Sequence, residues 1–257
     1  MELIRKIVRV GNSAGVVLPR EWLNGRARVE LIDKPLDIKA EIFEIIGDYL
    51  DEVEGIYLVG SYARGEENSD SDVDVLVITQ KINKKIVSGK YEITLISKDS
   101  LKESLEKNII PLLPMILEAR AILNKSILED CKNIGLNKKN TFWHIDSTKS
   151  ILKVNRENIE LDREKGFTGD AVAYSLVLRL REVYIVDCLM KNKMWSSKGL
   201  KDLIKKISGS LDIYKGYIRV KKGESKKEEL SIEDAVKVYD YIGDRIDEQE
   251  KWLQKRK

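Results

Sequence analysis

The spacing of hydrophobic positions changes twice along the chain. Near the start, short apolar runs alternate with polar turns, which is typical of strands and tight connections. The elements predicted there are a strand at 3–10, a turn at 11–15, a strand at 16–18, a helical turn at 19–23 and a strand at 27–32. So short a segment cannot bury a core of its own.

The middle of the chain combines a helical pattern with strand patterns. From 38 to 53, apolar residues recur every three or four positions, which predicts a helix lying on a sheet. Apolar strands are predicted at 56–59, 73–78 and 91–96, followed by an apolar stretch at 101–119 that Pro111 and Pro114 divide. A helix on a small mixed sheet predicts an α+β domain at 35–135.

From about residue 141 the strand patterns end. Apolar residues at helical spacing mark a deeply buried helix around 174–189 and a terminal helix that begins after Ser231. The predicted fold class is therefore an α+β domain flanked by an N-terminal β hairpin (1–34) and a C-terminal all-α bundle (141–257).

Composition removes several classes of function. The chain has 257 residues, of which 42% are hydrophobic and 35% charged, and it contains no apolar run long enough for a membrane helix. Its first twenty residues mix Arg and Glu into apolar positions, unlike a signal peptide, so we expect a cytoplasmic protein without a membrane partner. With two cysteines and a single histidine, His144, zinc sites and histidine-dependent catalysis are disfavoured. Metal chemistry on carboxylates stays open.

The net charge is concentrated at the N-terminus. Residues 1–34 hold seven Lys/Arg and four Asp/Glu, an excess of three that equals the net charge of the whole chain. An anionic partner is therefore sought first in this segment.

Residues 5–19, with the sequence RKIVRVGNSAGVVLP, resemble the AbrB/SpoVT/MazE swapped-hairpin family. In that family two hairpins interlock into a dimeric barrel that binds DNA through basic residues. The resemblance implies a homodimer and makes five side chains candidates for DNA contact. They are Arg5, Lys6, Arg9, Arg26 and Arg28. The turn at 24–26 is shorter than is usual in the family, which leaves DNA binding open.

The most informative stretch begins with YLVGSYARG at 57–65 and continues with SDVDVLV at 71–77. A strand that ends in Gly60 and Ser61 offers bare backbone and a hydroxyl to phosphate oxygens. On the second strand, Asp72 and Asp74 share one face because side chains alternate. Two like charges on one face are tolerated where they reach solvent or where a cation offsets them, and oxygen ligands suit Mg²⁺ or Mn²⁺.

These residues resemble the minimal nucleotidyltransferases of the DNA polymerase β superfamily. The resemblance implies that Gly60 and Ser61 hold the β- and γ-phosphates of a nucleoside triphosphate, with ATP as the default substrate. It also implies that Asp72, Asp74 and a third carboxylate, best matched by Glu92, bind two divalent ions. Arg64 either contacts a phosphate or braces the turn. Glu66, Glu67 and Asp70 are interpreted as solvated loop residues.

The predicted chemistry is transfer of a nucleoside monophosphate to a hydroxyl, with release of pyrophosphate. The helical region resembles the HEPN-type or substrate-binding bundles that accompany these transferases, and it lacks the Arg and His spacing of HEPN ribonucleases. It is interpreted as an acceptor-binding or interaction domain.

Two hypotheses remain at the level of sequence. The first is an enzyme that modifies a protein or small molecule, as antitoxin-type minimal nucleotidyltransferases and aminoglycoside-modifying relatives do. The second is a dimeric DNA-binding regulator whose transferase domain senses nucleotide. Three intact carboxylates favour the enzyme.

Overall fold

The computed structural model describes residues 3–30, 37–69, 71–224 and 230–255. The chain divides into two compact units, residues 1–41 and 42–257, and the division falls inside a helix.

The first unit contains a hairpin. Strands β1 (Ile7–Val10) and β2 (Ser13–Val16) pair antiparallel, and a short 3-10 turn follows at Arg20–Trp22. The predicted strand at 27–32 is wrong for residues 27–30, which form no strand, while 31 and 32 lie outside the described residues. A strand needs a neighbour for its backbone hydrogen bonds, and the single chain supplies none there. Helix α1 (Ile38–Ile45) crosses the boundary between the units.

The second unit begins with a sheet and the helices that pack on it. Its first elements are β3 (Val53–Val59), α2 (Gly60–Arg64), β4 (Val73–Thr79), β5 (Lys84–Ser88), β6 (Tyr91–Ser97), α3 (Lys98–Lys107), α4 (Leu113–Glu118), β7 (Arg120–Leu123) and α5 (Ser126–Cys131). Among the described residues, five strands form one sheet in the order β5-β6-β4-β3-β7. Strand β4 is parallel to β6 and antiparallel to β3.

Strand β4 lies at the centre of this sheet because both of its faces are buried after Asp74. Every residue from Val75 to Thr79 is buried. The three predicted strands are confirmed, whereas β5 and β7 were not predicted because each is mostly exposed at a sheet edge.

The rest of the unit is mainly helical. Its elements are α6 (Phe142–Asp162), β8 (Phe167–Thr168), α7 (Asp170–Met190), α8 (Ser197–Ser208), α9 (Asp212–Lys222), β9 (Leu230–Ser231) and α10 (Ile232–Gln254). The prediction of a purely helical region is wrong in one detail, since β8 and β9 form a two-residue antiparallel pair. This pair joins the loops that precede α7 and α10, where backbone groups need partners outside the helices.

Helix α7 is the centre of the helical region. Asp170 at its start accepts two hydrogen bonds from Arg219 of α9, at 2.8 and 2.7 Å, and both side chains are buried. Asp187, near its other end, accepts two from Arg245 of α10. Such bidentate pairs fix the orientation of the helices around α7.

One continuous hydrophobic core runs from the sheet into the helices of residues 42–257. His144 lies within this part, where it is buried and its Nε2 atom is 2.9 Å from the Gln249 side-chain oxygen. No helix in the described ranges has the length and apolarity to span a membrane.

Candidate active site

The chain turns sharply where β3 ends, at Gly60. Its φ of +70° lies in the left-handed region that residues with a side chain avoid. A β-carbon at this position would overlap Asp74 Oδ2 and lie 3.0 Å from the Asp74 carboxyl carbon. Only glycine therefore lets the turn come this close to the acidic strand. Residues 60–65 are called the glycine turn below.

The strand that carries the carboxylates alternates as predicted. Val73 and Val75 are fully buried, and Asp72 and Asp74 remain partly accessible. Antiparallel pairing with β3 sets Asp74 opposite Val59, next to Gly60. Parallel pairing with β6 sets Asp74 opposite Glu92. The sheet register thus brings the glycine turn and the predicted carboxylates to one edge.

The carboxylates influence one another electrostatically. Burial, followed by the negative charges of Glu92 and Asp72, raises the pKa of Asp74 to about 6. The positive charges of Lys221 and Arg181 act in the opposite direction. At Asp74, the negative charges of the neighbouring carboxylates therefore outweigh the positive charges of the two cations.

Two lysines stand beside these carboxylates. Lys221 Nζ of α9 is 3.3 Å from Asp72 Oδ2, and Lys85 Nζ of β5 is 2.9 Å from Glu92 Oε2. Both lysine side chains are more than half exposed, so each ion pair is weak and readily exchanged. The two ammonium groups occupy positions where the carboxylates favour a cation.

As the side chains stand, no group of three or more His, Cys, Asp or Glu in the described part of the chain is arranged to hold a metal ion. Glu92 is turned toward Lys85 and Asp72 toward Lys221. The donor set is nonetheless all oxygen and mutually repelling, which fits a hard divalent cation such as Mg²⁺ or Mn²⁺. Rotation of two exposed side chains away from their lysines would be sufficient to free these donors.

A buried carboxylate, Glu118, supports the glycine turn. Strand β7 runs antiparallel to β3 with Arg120 opposite Leu58, so Glu118, two residues earlier, lies beside Gly60. The Gly60 backbone N–H donates to Glu118 Oε1 at 2.7 Å. Arg64 donates to Glu118 Oε2 at 2.5 Å.

Arg64 is held on both sides. Its Nε atom donates to Glu66 at 2.8 Å, in addition to the bond with Glu118, and the side chain is mostly buried. Burial lowers the pKa of Arg64, but the hydrogen bond to Glu66 and the charge of Glu118 outweigh it and raise the pKa. Of the two roles considered for Arg64, these contacts favour bracing of the turn.

The same carboxylates reach the helical region. Trp195, in the loop before α8, donates from its indole nitrogen to Glu118 Oε2 at 3.2 Å. Ser197 donates to Glu66 from its backbone N–H at 3.1 Å and from its hydroxyl at 3.1 Å. The interpretation of Glu66 as a solvated loop residue is therefore wrong, because the folded helical region supplies donors that the local sequence does not reveal. Glu67 is exposed, and Asp70 lies outside the described residues.

Two cations of the helical region, Arg181 and Lys221, act electrostatically both on Asp74 and on Tyr214. Burial and then Tyr217 raise the pKa of Tyr214, whereas the charges of Arg181 and Lys221 lower it, so this ring lies near both cations. Lys201 Nζ lies 5.3 Å from the centre of the same ring. These residues were not predicted as part of the site, since they follow the acidic motif by more than a hundred positions.

The five basic residues proposed for DNA contact belong to the first unit. All of them are exposed; they are Arg5, Lys6, Arg9, Arg26 and Arg28. Around them, seven large apolar side chains are also exposed by 39% or more, and these are Ile4, Ile7, Val8, Val10, Val17, Leu23 and Val29.

Comparison with known proteins defines the class of the chain. Residues 39–134 match the nucleotidyltransferase domain family. A curated protein of Methanocaldococcus jannaschii, named as a candidate protein adenylyltransferase, is 38% identical over 32% of this chain and 90% of its own length. The chain therefore belongs to the nucleotidyltransferase family, with a mixed α+β nucleotidyltransferase fold followed by a helical region.

Two solved structures show weaker likeness. Spectinomycin adenyltransferase AAD(9) from Enterococcus faecialis, solved with ATP and spectinomycin, has a TM-score of 0.44 and 17% identity, over 81% of this chain and 98% of that chain. A nucleotidyltransferase-like protein from Exiguobacterium sibiricum has a TM-score of 0.34 and 16% identity, over 84% and 78% of the two chains. Both scores fall below the level at which a shared fold follows.

Proposed function

We propose that this protein transfers the nucleoside monophosphate of a nucleoside triphosphate, with ATP first among the candidates, to a hydroxyl of a protein or small-molecule acceptor. The observation that carries the proposal is the register of the sheet, which sets Asp74 beside both Gly60 and Glu92. In this proposal residues 35–135 carry the chemistry, and the helices of 141–257 bind the acceptor or another partner.

The triphosphate is proposed to bind over the glycine turn. Gly60 keeps the main chain free of a side chain beside Asp74, and Ser61 supplies a hydroxyl, so these two residues are assigned to the β- and γ-phosphates. Lys221 and Arg181 act on Asp74 from the helical side and supply positive charge for the same phosphates. Arg64 is assigned to the turn itself, because Glu66 and Glu118 already hold its guanidinium.

Asp72, Asp74 and Glu92 are the residues proposed to hold Mg²⁺ or Mn²⁺. When bound, such ions supply Lewis-acid stabilisation of charge on the reacting phosphate. In the transfer itself the acceptor oxygen bonds to the α-phosphorus, and the bond from that phosphorus to the bridging oxygen breaks. Pyrophosphate leaves with the electron pair, and the proton of the hydroxyl passes to water.

The acceptor is proposed from the similarity to the archaeal relative. Because that relative is named as a candidate protein adenylyltransferase, a protein hydroxyl and AMP are the first choices. An antitoxin-like role, in which the acceptor is a partner toxin, is one form of this proposal.

The test uses purified protein, Mg²⁺, host lysate and each of the four nucleoside triphosphates labelled at the α-phosphate. We expect one triphosphate to label a discrete acceptor in the presence of wild-type protein. Asp74→Asn and Asp72→Asn should abolish labelling, and Asp146→Asn, on the exposed face of α6, should leave it intact. Labelling by either site variant above a tenth of wild type would refute the assignment of the carboxylates.

A second proposal concerns the hairpin unit. Its exposed apolar side chains need a cover that one chain does not supply, and a second copy of the hairpin would provide it.

In the resulting homodimer the five basic residues would be doubled and could contact DNA phosphates, which is the regulator alternative. Anisotropy of labelled promoter DNA at two salt concentrations tests it, with an expected log–log slope of about −5 if roughly six phosphates are neutralised. Absence of binding at 50 mM salt would leave dimerisation alone.

A further inference from the structure

Glu118 joins the glycine turn to the loop before α8 by direct hydrogen bonds. One oxygen accepts from the Gly60 backbone, and the other accepts from Arg64 and from the Trp195 indole. Its side chain is only 5% exposed. All three hydrogen bonds therefore end on a carboxylate that solvent hardly reaches.

Packing reinforces this connection. Trp195 is buried in a cluster with Ile185 and Cys188, and Leu117 packs against that cluster. Leu117, which precedes Glu118 in α4, thus packs against the cluster that contains the tryptophan to which Glu118 is hydrogen-bonded. A rotation of the indole would break its hydrogen bond to the carboxylate that holds Gly60.

We infer that Glu118 is a positioning residue that couples the helical region to nucleotide binding, with Trp195 as its partner on the helical side. The inference rests on the proposed function, because it assumes that the triphosphate binds over the glycine turn. Neither Glu118 nor Trp195 touches the nucleotide in this proposal. Their effect on nucleotide affinity passes through the Gly60 backbone, whose conformation Glu118 fixes.

A double-mutant cycle measures the coupling. Trp195→Phe keeps an aromatic ring and removes the indole donor. Glu118→Gln keeps an oxygen for Gly60 but places an amide against the donors of Arg64 and Trp195. The readout is the dissociation constant of each α,β-methylene analogue of ATP, GTP, CTP and UTP in the presence of Mg²⁺. It is measured by titration calorimetry on the full chain, at a temperature below the thermal midpoint of every variant.

We expect Trp195→Phe to weaken binding of the preferred analogue by about tenfold, in line with loss of a hydrogen bond to a charged group. In the Glu118→Gln background the same change should alter the affinity by less than twofold. Trp143→Phe is the matched control, since Trp143 is 56% exposed on α6 and lies outside this network. It should bind as wild type does.

Equal affinities for wild type, Trp195→Phe and Trp143→Phe would overturn the inference, as would independent effects of the two network changes. A lowered thermal midpoint with unchanged affinity would show a purely structural role and would also overturn it. If Glu118→Gln does not fold, the comparison of Trp195→Phe with wild type and with Trp143→Phe decides the inference. Failure of wild type to bind any of the four analogues would instead refute the proposed function.

Discussion

Removing the charge of Asp74 should stabilise the metal-free protein at neutral pH. Burial, followed by the charges of Glu92 and Asp72, raises the pKa of Asp74 to about 6, against an ordinary value of 3.8. The folded state therefore binds more protons than the unfolded state between these two values. By linkage, the free energy of unfolding falls as pH rises through this window and stays low above it.

The magnitude follows from the size of the pKa shift. A shift of about two units corresponds to about 3 kcal/mol at about 1.4 kcal/mol per unit. Because Asp74 keeps some contact with water and its neighbours can move apart, we take about half of that, roughly 1.5 kcal/mol. For a chain of this length such a gain raises the thermal midpoint by about 4 °C.

The assay compares wild type and Asp74→Asn by thermal unfolding in EDTA at pH 8 and at pH 4. Asp74→Asn should be more stable at pH 8, and the difference should disappear at pH 4, where the native carboxyl is protonated. Addition of Mg²⁺ at about ten times its dissociation constant should stabilise wild type by about 1.4 kcal/mol and the variant by less. Equal stabilities at pH 8, or a gain that persists at pH 4, would refute the reasoning.

Three further outcomes are expected. Gly60→Ala should reduce transfer by more than 90% with little change in circular dichroism, because a β-carbon would overlap Asp74; normal activity would contradict the role of the turn. Lys221→Gln should raise the Michaelis constant for the triphosphate by about tenfold through loss of a charge-assisted contact, while Lys206→Gln, on the exposed face of α8, should not. Deletion of residues 1–34 should convert a dimer into a monomer in static light scattering with transfer retained, and a deletion that remains dimeric would place the interface elsewhere.

The central strands were predictable because their signals are local. Val73, Val75 and Val77 alternate with Asp72 and Asp74 before the strand becomes wholly apolar, which indicates a strand entering a core. The turn at Gly60 was predictable for a similar reason, since an apolar strand ended in Gly and Ser.

The support of the site was not predictable in the same way. Glu118 reaches Gly60 only because β7 pairs with β3. Strand β7 is a four-residue edge strand that begins with the exposed Arg120, so its sequence lacks a clear strand pattern. An acid at the end of an apolar helix, two residues before a strand, was the available signal. Trp195 and Lys221 depend on how helices pack, which no local pattern encodes.

The order of the site residues along the chain has a consequence during synthesis. Gly60, Asp74 and Glu92 fall within 33 consecutive residues. Trp195 and Lys221 both follow Glu92 by more than a hundred residues. A ribosome adds roughly 5–20 residues per second, so the acidic edge is made on the order of 10 s before the helical residues that brace it. A nascent chain therefore carries the carboxylates without the indole and the lysine. Full nucleotide affinity should arise only once α9 has been made and has docked.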